Sequence, residues 1–542
     1  MADVALVDDG GGVVCTVDAV ATDAGIDVLR RGGSAADAAV AANAVLTVTS
    51  PHLCGMGGDL WAVVHRPGEE PVVLNASGRA GSGVDAEALR RQGLTHVPFR
   101  ADLNAVPVPG CVDGWMALLD RYGRLESASV FEAAIATAEE GFAASWLLAM
   151  GAFLIDHLAV PGIGTDLQEG ERVRRPGMAD ALRAVVADGR EGFYGGAFGA
   201  GLIELGEGTY AADDLNRVQA DWHPALGLEV FGARVWTAPP ASQGYLTLAI
   251  LHVVEQLGLP RDDREPDWLR MLVAATVVTG TDRPARLHDG LDGASLLGAA
   301  QLADWVEQAR RWPAVVDPVD AQVGDTTYLC VRDGDGMAVS LIQSQASDFG
   351  AHLVEPATGI FLHNRGVGFS LDEGHPAELA PGRRPPSTLM PVLVTDERNA
   401  LVAVTGTMGG DSQPHLMAQH LCRLLHTDLP PDAVLRRPRF TLKRDGDRGF
   451  DLWAGSGAAP GDRARVRPEH LALATDDGGV EQWASTAEDL GLRVQRESKA
   501  SPTFGHAHLI ARTADGWIGC SEPNAKEGAA ASWSSTPPLG TT

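Results

Sequence analysis

The segment that decides the fold runs over residues 325–344 and reads DTTYLCVRDGDGMAVSLIQS. Residues 326–331 and 337–343 are two short runs rich in β-branched side chains, and the Asp-Gly-Asp-Gly between them is a strong hairpin signal. Residues 311–324, just upstream, contain scattered Pro and Asp without a regular period, which predicts a loop. The pattern therefore places Thr326 at the first position of a strand that follows a loop.

A threonine at that position has a specific chemical use. If the Asp325–Thr326 peptide bond is cut, Thr326 carries a nucleophilic hydroxyl together with a free α-amino group that can act as its own base. A simpler explanation stands beside this one, because threonine favours strands and often begins them. The rest of the chain is needed to choose between the two.

Composition limits the classes of protein to consider. The chain has 542 residues, enough for one large multilayer domain or for two to four ordinary ones. Its 71 acidic and 43 basic residues give a net charge of −28, which argues against nucleic acid or an anionic membrane as a partner. No signal peptide and no membrane-spanning run is expected. The six scattered cysteines lack CxxC spacing and favour a reducing cytoplasmic setting.

The first half of the chain predicts buried helices beside strands. Apolar residues from Val17 to Val28 recur at helical spacing and end at a cationic turn with two glycines. Ser34 caps a second helix whose small Ala and Val side chains, residues 35–46, predict burial. A glycine turn at residues 54–59 leads into a strand over 60–65, and residues 72–74 predict another strand. From about 119 to 310 the pattern is mostly helical, with no internal repeat and no linker that would separate domains.

Motifs in a fixed order then cover nearly the whole chain. They are Ala24-Gly25 with Leu29, residues 32–41 (GGSAADAAVA), residues 54–58 (CGMGG), Pro109-Gly110 with Gly114, Thr326-Thr327, residues 333–340, Gly359-Ile360 with Asn364, residues 384–388 (RPPST), Thr405-Gly406 with Gly409-Gly410, and Pro438-Arg439-Phe440. With these motifs the chain resembles the γ-glutamyltranspeptidase family of N-terminal nucleophile hydrolases.

The resemblance implies an α/β fold, a four-layer αββα sandwich made from one self-cleaving precursor. It implies a large subunit of residues 1–325 and a small subunit of residues 326–542, cut between Asp325 and Thr326, and a dimer of such heterodimers is compatible with it. It implies neither a cofactor nor a metal ion. A small-molecule acyl compound is the implied substrate, and water or an amine is the implied acceptor.

The same resemblance assigns roles to single residues. Thr326 matches the nucleophile, Thr327 the second threonine of the pair, and Ser344 a hydroxyl residue that supports the nucleophile. Gly409 and Gly410 match the pair whose amides form the oxyanion hole. The residues themselves agree, since two glycines after an apolar run let two amides turn toward one point. Ser387 and Thr388 are implied to lie near the bound substrate.

Departures from the family pattern bear on the substrate. The first-half arginine is shifted or lost, with Arg79 the nearest one, and Ala346 stands where the family has Asn. Residues 363–369 (HNRGVGF) place Arg365 and Gly368 where acids or amides are usual. Because a guanidinium binds carboxylates and repels ammonium, we predict an anionic acyl group such as that of a dicarboxylic half-amide. Asn364 belongs to the same predicted substrate-binding set, and a surface salt bridge is the alternative for Arg365.

Other chemistries fit less well. The scattered histidines, including His506 and His508, lack a third ligand at a recognisable spacing, so structural histidines are expected. No Gly-x-Ser-x-Gly motif supports a Ser-His-Asp triad. Three alternatives stay open: a γ-glutamyl transferase acting on glutathione, a biosynthetic hydrolase that cuts a C–C bond next to a carbonyl, and an unprocessed binding protein without activity. A γ-glutamyl-anilide assay, substrate screening and a denaturing gel separate them.

Overall fold

The computed structural model describes residues 3–158, 160, 162–312, 325–444, 471–499, 501–523 and 527–534. Most of the loop predicted over residues 311–324 therefore lies outside the described residues. The predicted cut between Asp325 and Thr326 falls at the first residues described after that gap.

The strands follow one another along the chain as β1 (Val4–Val7), β2 (Gly12–Thr16), β3 (Asp59–His65), β4 (Val72–Ala76), β5 (Phe142–Ala143), β6 (Arg172–Val173), β7 (Asp221–Pro224), β8 (Leu226–Val230), β9 (Ala233–Thr237), β10 (Asp325–Arg332), β11 (Ala338–Ala346), β12 (Val354–Glu355), β13 (Ile360–Phe361), β14 (Val392–Thr395), β15 (Leu401–Thr407), β16 (Phe440–Arg444), β17 (Leu471–Thr475), β18 (Arg493–Arg496), β19 (Ala507–Thr513), β20 (Gly516–Ser521) and β21 (Ala529–Trp533).

The α-helices are α1 (Ala19–Arg30), α2 (Ala35–Thr49), α3 (Ala86–Arg91), α4 (Cys111–Tyr122), α5 (Ser127–Glu140), α6 (Trp146–Gly151), α7 (Pro176–Asp188), α8 (Arg190–Tyr194), α9 (Ala197–Gly206), α10 (Ala212–Asn216), α11 (Tyr245–Leu257), α12 (Pro266–Gly280), α13 (Arg283–Arg286), α14 (Gly293–Leu296), α15 (Ala299–Arg310), α16 (Gln413–His426), α17 (Pro431–Arg436) and α18 (Asp477–Asp489).

Two seven-stranded antiparallel sheets form the centre of the fold. One has the order β1-β20-β19-β15-β14-β9-β8, and the other has the order β21-β2-β10-β11-β3-β4-β7. One apolar core lies between the second sheet and helices that include α1, α2, α4, α5 and α7. Another lies between the first sheet and helices that include α11, α12, α15, α16 and α18. A third fills the space between the sheets, so the predicted αββα sandwich is confirmed.

Strand β10 shows how the sequence builds these layers. Tyr328 and Cys330 lie in the core between the sheets, whereas Leu329 and Val331 lie in the core on the helix side. Successive side chains of a strand point to opposite faces, so alternate residues of β10 serve different cores. This alternation also fixes the faces to which the two preceding threonines point.

The predicted helices of the first half are present with their caps. Helix α2 begins after Ser34, whose hydroxyl accepts from Asp37 N in a capping box, and its residues are buried throughout. Asp333, in the turn of the β10–β11 hairpin, accepts from Ala35 N at 3.0 Å. The hairpin is thereby joined to the first turn of the buried helix.

The expectation of a mostly helical region up to residue 310 was incomplete. Residues 221–237 form β7, β8 and β9, which lie at or near the edges of the two sheets. Among the described helices, none has the length and apolar character needed to cross a lipid bilayer.

Buried histidines predict a loss of stability in acid. Burial lowers the pKa of His52 and His508 from the ordinary 6.5 to about 3. It lowers the pKa of His415 to about 3 and that of His506 to about 4. Between pH 6.5 and 4 the unfolded chain binds protons that the folded chain does not bind. As the pH falls through this range, the free energy of unfolding should therefore decrease by about 1.4 kcal/mol per pH unit for each such histidine.

Urea unfolding measured from pH 7.5 to pH 4.5 checks this expectation. Replacing His52 with leucine removes one of these titrating groups, so the free energy of unfolding should depend less steeply on pH. Neither ring nitrogen of His52 has a hydrogen-bond partner among the described residues, so the change leaves no polar group unpaired. The exposed His96 gives a matched control, since His96→Gln removes a histidine from the surface and not from the core. An equal slope in His52→Leu and the parent protein would contradict the assignment.

Candidate active site

Thr326 lies at the start of β10, on the face that points between the two sheets. It shares this face with Tyr328 and Cys330, and only 1% of its surface is exposed. Strand β10 pairs with β11 so that Thr326 is opposite Ser344, and the register shifts between Asp325 and Thr326. The peptide that joins these two residues therefore lies at an irregularity of the ladder.

Ser344 is the side-chain partner of Thr326. The two hydroxyl oxygens are 3.0 Å apart, and the Ser344 oxygen also accepts from Ala346 N at 2.7 Å. A hydroxyl has one donor and two acceptor positions, so Ser344 can accept the amide and still donate to Thr326. The pair predicted from the sequence is thus in hydrogen-bond contact.

Thr327 points to the opposite face of the strand. Its hydroxyl donates to the carbonyl oxygen of Gln343 at 3.2 Å, on the helix side of the sheet. Cys54 lies on the same side, and burial raises the pKa of its thiol to about 12. The structure therefore gives the Thr327 hydroxyl a structural contact and does not bring it to Thr326. A catalytic role for Thr327 stays a prediction.

Asp59 and Arg365 form a buried ion pair beside Ser344. Asp59 is the residue of β3 opposite Ser344, so it points to the same face. Arg365 Nε donates to one Asp59 carboxylate oxygen at 2.8 Å, and Nη2 donates to the other at 3.4 Å. Both side chains are almost fully buried, so the salt bridge considered for Arg365 exists but is not at the surface. No sequence pattern indicated the contact with Asp59.

Thr388 is the second partner of Arg365. Its hydroxyl accepts from Nη1 at 3.0 Å, whereas the Ser387 hydroxyl accepts from Leu389 N at 3.2 Å. A guanidinium has five N–H groups, and the contacts to Asp59 and Thr388 engage three of them. Two N–H groups of Arg365 thus have no partner among the described residues.

The glycine pair forms the turn after β15. Gly409 and Gly410 have φ angles of 137° and 54°, in the region that favours glycine. The Gly409 carbonyl accepts from Ser412 N at 2.9 Å, which fixes the peptide plane that carries the Gly410 amide. Among the residues that the structure describes, neither glycine amide donates to a protein acceptor. Asp411, the next residue, makes a buried ion pair with Arg283 at 2.6 Å.

Packing between the sheets brings β15 over β10. The Tyr328 ring lies against Gly406, where a Cβ atom would overlap it. Ser340, opposite Cys330 in β11, donates to the Thr405 carbonyl at 3.4 Å. The part of β10 from Cys330 back to Tyr328 therefore lies over the part of β15 from Thr405 to Gly406. Continuing in the same direction leads to Thr326 in β10 and to the glycine pair after β15. The glycine turn and Thr326 lie at the same end of the sandwich.

Asn364 and Arg79 have other partners. Asn364 Nδ2 donates to the Phe99 carbonyl at 2.9 Å, and its buried Oδ1 has no hydrogen-bond partner in the described structure. Arg79 donates to Asp221 at 2.6 Å, a carboxylate that it shares with Arg384. The substrate-binding roles predicted for Asn364 and Arg79 stay predictions.

The segment after Ser344 holds backbone strain that the sequence did not reveal. Ala346, Phe349 and His352 all have positive φ angles, of 73°, 52° and 53°. Such conformations cost of order 1 kcal/mol or more each and collect at functional sites.

As for metal binding, the described part of the chain contains no group of three His, Cys, Asp or Glu side chains that could hold an ion.

Known proteins share sequence and fold with this chain. The family model described as γ-glutamyltranspeptidase matches residues 21–532. The glutathione hydrolase-like YwrD proenzyme of Bacillus subtilis is 34% identical over 448 residues, covering 78% of this chain and 84% of that protein. The oxamate amidohydrolase proenzyme of Klebsiella pneumoniae is 33% identical over 542 residues, covering 94% and 96%. The crystal structure of a cephalosporin acylase from Bacillus halodurans superimposes with a TM-score of 0.85 at 27% identity, covering 98% and 97%.

Proposed function

The chain belongs to the γ-glutamyltranspeptidase family, and from that premise we propose that it is a self-processing threonine amidohydrolase. It hydrolyses the amide of a small anionic acyl group of the dicarboxylic half-amide type. The relatives named as an amidohydrolase and an acylase support amide hydrolysis of an acyl group. The single observation that carries the proposal is the Thr326 hydroxyl, 3.0 Å from the Ser344 hydroxyl at the start of a central strand.

Self-cleavage uses the same hydroxyl that later attacks the substrate. Thr326 Oγ1 adds to the carbonyl carbon of Asp325, the C–N bond breaks, and the hydroxyl proton passes to the new α-amino group. The resulting ester is hydrolysed by water, which leaves a carboxylate on Asp325 and restores the hydroxyl. The register shift between the two residues supports this step, because it removes their peptide from the regular ladder.

In the mature enzyme the α-amino group of Thr326 accepts the proton of its own hydroxyl. An α-amino group ordinarily has a pKa of roughly 7.7–8.0, so a useful fraction is unprotonated near neutral pH. The oxygen attacks the acyl carbon, and the amides of Gly409 and Gly410 stabilise the oxyanion that develops. The C–N bond of the substrate then breaks, the amine leaves with the proton, and water or another amine resolves the acyl-enzyme.

Arg365 supplies the specificity for an anionic acyl group. Asp59 orients the guanidinium, and the two N–H groups without a described partner are available to a substrate carboxylate. The positions where the family binds an ammonium group hold Ala346 and Gly368, which carry no charge. The relative named as an oxamate amidohydrolase supports an acyl group of this kind.

Intact mass measurement and N-terminal sequencing test the proposal. We expect fragments of residues 1–325 and 326–542, the second of 217 residues (542 − 325), beginning Thr326-Thr327. Oxalyl, succinyl and glutaryl anilides should be hydrolysed faster than the γ-glutamyl anilide. An active protein that consists of one uncut chain would rule the mechanism out.

Removal of the Ser344 hydroxyl should slow the chemical step. Hydrogen bonds to a charged or charge-developing group contribute roughly 1.5–3 kcal/mol, so Ser344→Ala should lower kcat about 10–100-fold. Ser340 on the same face of β11 provides the control, because its hydroxyl contacts Tyr328 and the Val392 amide but not Thr326. Equal kcat values for Ser344→Ala and Ser340→Ala would remove Ser344 from the mechanism.

A reducing compartment and a two-chain product complete the proposal. The six cysteines are buried and unpaired, as expected for a protein of the cytoplasm. Because both sheets contain strands from each side of residue 325, the two fragments are expected to stay together as one heterodimer.

A further inference from the structure

Gln243 joins two parts of the site that the proposed function uses separately. It lies between β9 and α11, and its side chain is fully buried. Its Nε2 donates to the Thr388 carbonyl at 3.1 Å and to the Gly410 carbonyl at 2.8 Å. An amide nitrogen has two N–H groups, so both are engaged by main-chain oxygens of two different segments.

Each end of this bridge has a function in the proposed reaction. On one side, the hydroxyl of Thr388 accepts from Arg365, the residue proposed to bind the acyl anion. On the other side, Gly410 supplies one of the two amides proposed for the oxyanion hole. A chain of hydrogen bonds therefore runs from Asp59 through Arg365, Thr388 and Gln243 to Gly410.

The backbone around Gln243 already fixes its position against the loop of Thr388. Gln243 N donates to the Ser387 carbonyl at 3.1 Å, and Ser387 N donates to the Ala241 carbonyl at 2.8 Å. The main chain thus holds these two segments together without the carboxamide. The Gln243 carboxamide adds the contact with the Gly409–Gly410 turn.

We propose that Gln243 is a specificity-determining positioning residue. It couples recognition of the acyl group at Arg365 and Thr388 to the alignment of the Gly409–Gly410 turn, whose amides form the proposed oxyanion hole. This inference rests on the proposed function. An anionic acyl group that engages Arg365 stabilises the arrangement of Thr388 and, through Gln243, the position of Gly410. Because misplacement of a catalytic group by about 1 Å can cost roughly 100-fold in rate, the effect should appear in kcat.

Gln243→Met tests the coupling, since methionine has a similar volume and lacks the two N–H donors. The probes are glutaryl anilide and its methyl ester, which share the scissile amide and differ in the charge of the acyl group. We expect kcat on glutaryl anilide to fall about 10–100-fold, with KM changed less than about threefold. The preference for the anionic substrate should fall with it. In combination with Thr388→Val, the two losses should be less than additive, as for residues of one network.

Two further variants separate positioning from a general structural role. Ser242→Ala removes a neighbouring buried hydroxyl that donates to the Leu389 carbonyl at 2.6 Å and does not reach Gly410, so kcat should be preserved. Gln243→Glu places a carboxyl group between two carbonyl oxygens, where only its protonated form can donate. Its kcat relative to the parent enzyme should therefore rise as the pH falls from 8 to 6.

The outcomes distinguish this inference from the proposed function. If the parent chain is uncut or hydrolyses neither anilide, the proposed function fails. If the parent chain is processed and active while Gln243→Met keeps its kcat and its substrate preference, the inference alone is overturned. It is also overturned if Gln243→Glu shows the parent pH profile, or if neither Gln243 variant folds, since Gln243 would then be a structural residue.

Discussion

Replacing Thr326 with alanine should abolish turnover and leave the chain uncut. We expect kcat/KM to fall by about 10⁴-fold or more, as is usual when a nucleophile is removed. In the proposed mechanism the hydroxyl is needed twice, once to open the Asp325–Thr326 bond and once to attack the substrate. A denaturing gel should show one band of full length, and an anilide assay should show no turnover above background.

Two further variants show whether the effect belongs to this hydroxyl. Thr326→Ser keeps both the hydroxyl and the future α-amino group, so it should still be processed, though more slowly because serine is less restricted about χ1. Thr327→Ala removes the hydroxyl contacts with the Gln343 carbonyl and Cys54 on the opposite face, and it should lose less activity than Thr326→Ala because the attacking oxygen stays in place. Turnover by an uncut Thr326→Ala protein would remove the basis of the proposed mechanism.

Removing the charge of Arg365 should also lower activity strongly. A simple Arg365→Ala change confounds two causes, because it leaves Asp59 buried without its partner, at a cost of about 3–5 kcal/mol in stability. The paired change Asp59→Asn with Arg365→Gln removes both charges and keeps hydrogen-bonding groups of similar size. We expect this protein to fold and to lose about 10–100-fold in kcat/KM on glutaryl anilide.

The methyl ester of the same substrate provides the control for this prediction. Because the ester has no carboxylate for Arg365, its kcat/KM should change little in the paired variant. The urea midpoint should lie close to that of the parent protein, whereas Arg365→Ala alone should unfold at lower urea. Parallel losses on both substrates would show that Arg365 acts on the structure of the site and not on the acyl charge.

Local patterns were sufficient for the parts of the fold that are written within short segments. The hairpin of β10 and β11 follows from two β-branched runs and an Asp-Gly turn, and α2 follows from its cap and its small side chains. Strands β7 to β9 were missed, because residues 221–237 contain Pro, Gly and His and do not alternate clearly. Their pairing partners, β4 and β14, set their conformation from elsewhere in the chain.

The candidate site was predictable only where a motif names a residue. Thr326, Ser344 and the glycine pair could be found in this way. The Asp59–Arg365 pair joins residues 306 positions apart, and the contact from Gln243 to Gly410 spans 167 positions. Because such pairings depend on how the two sheets are stacked, one sequence holds no local sign of them.

Each sheet combines early strands, which precede residue 325, with late strands, which begin at residue 325 or follow it, and this has a consequence for the protein after the proposed cleavage. In one sheet β2 lies between β21 and β10, and in the other the strands β20, β19, β15 and β14 lie together between β1 and β9. If the chain is cut there, neither fragment can diffuse away without breaking the main-chain ladders on both sides of β2 and on both sides of this group of late strands. A cut at residue 325 should therefore be invisible to gel filtration, and fragments produced separately should fail to reassemble when mixed under native conditions.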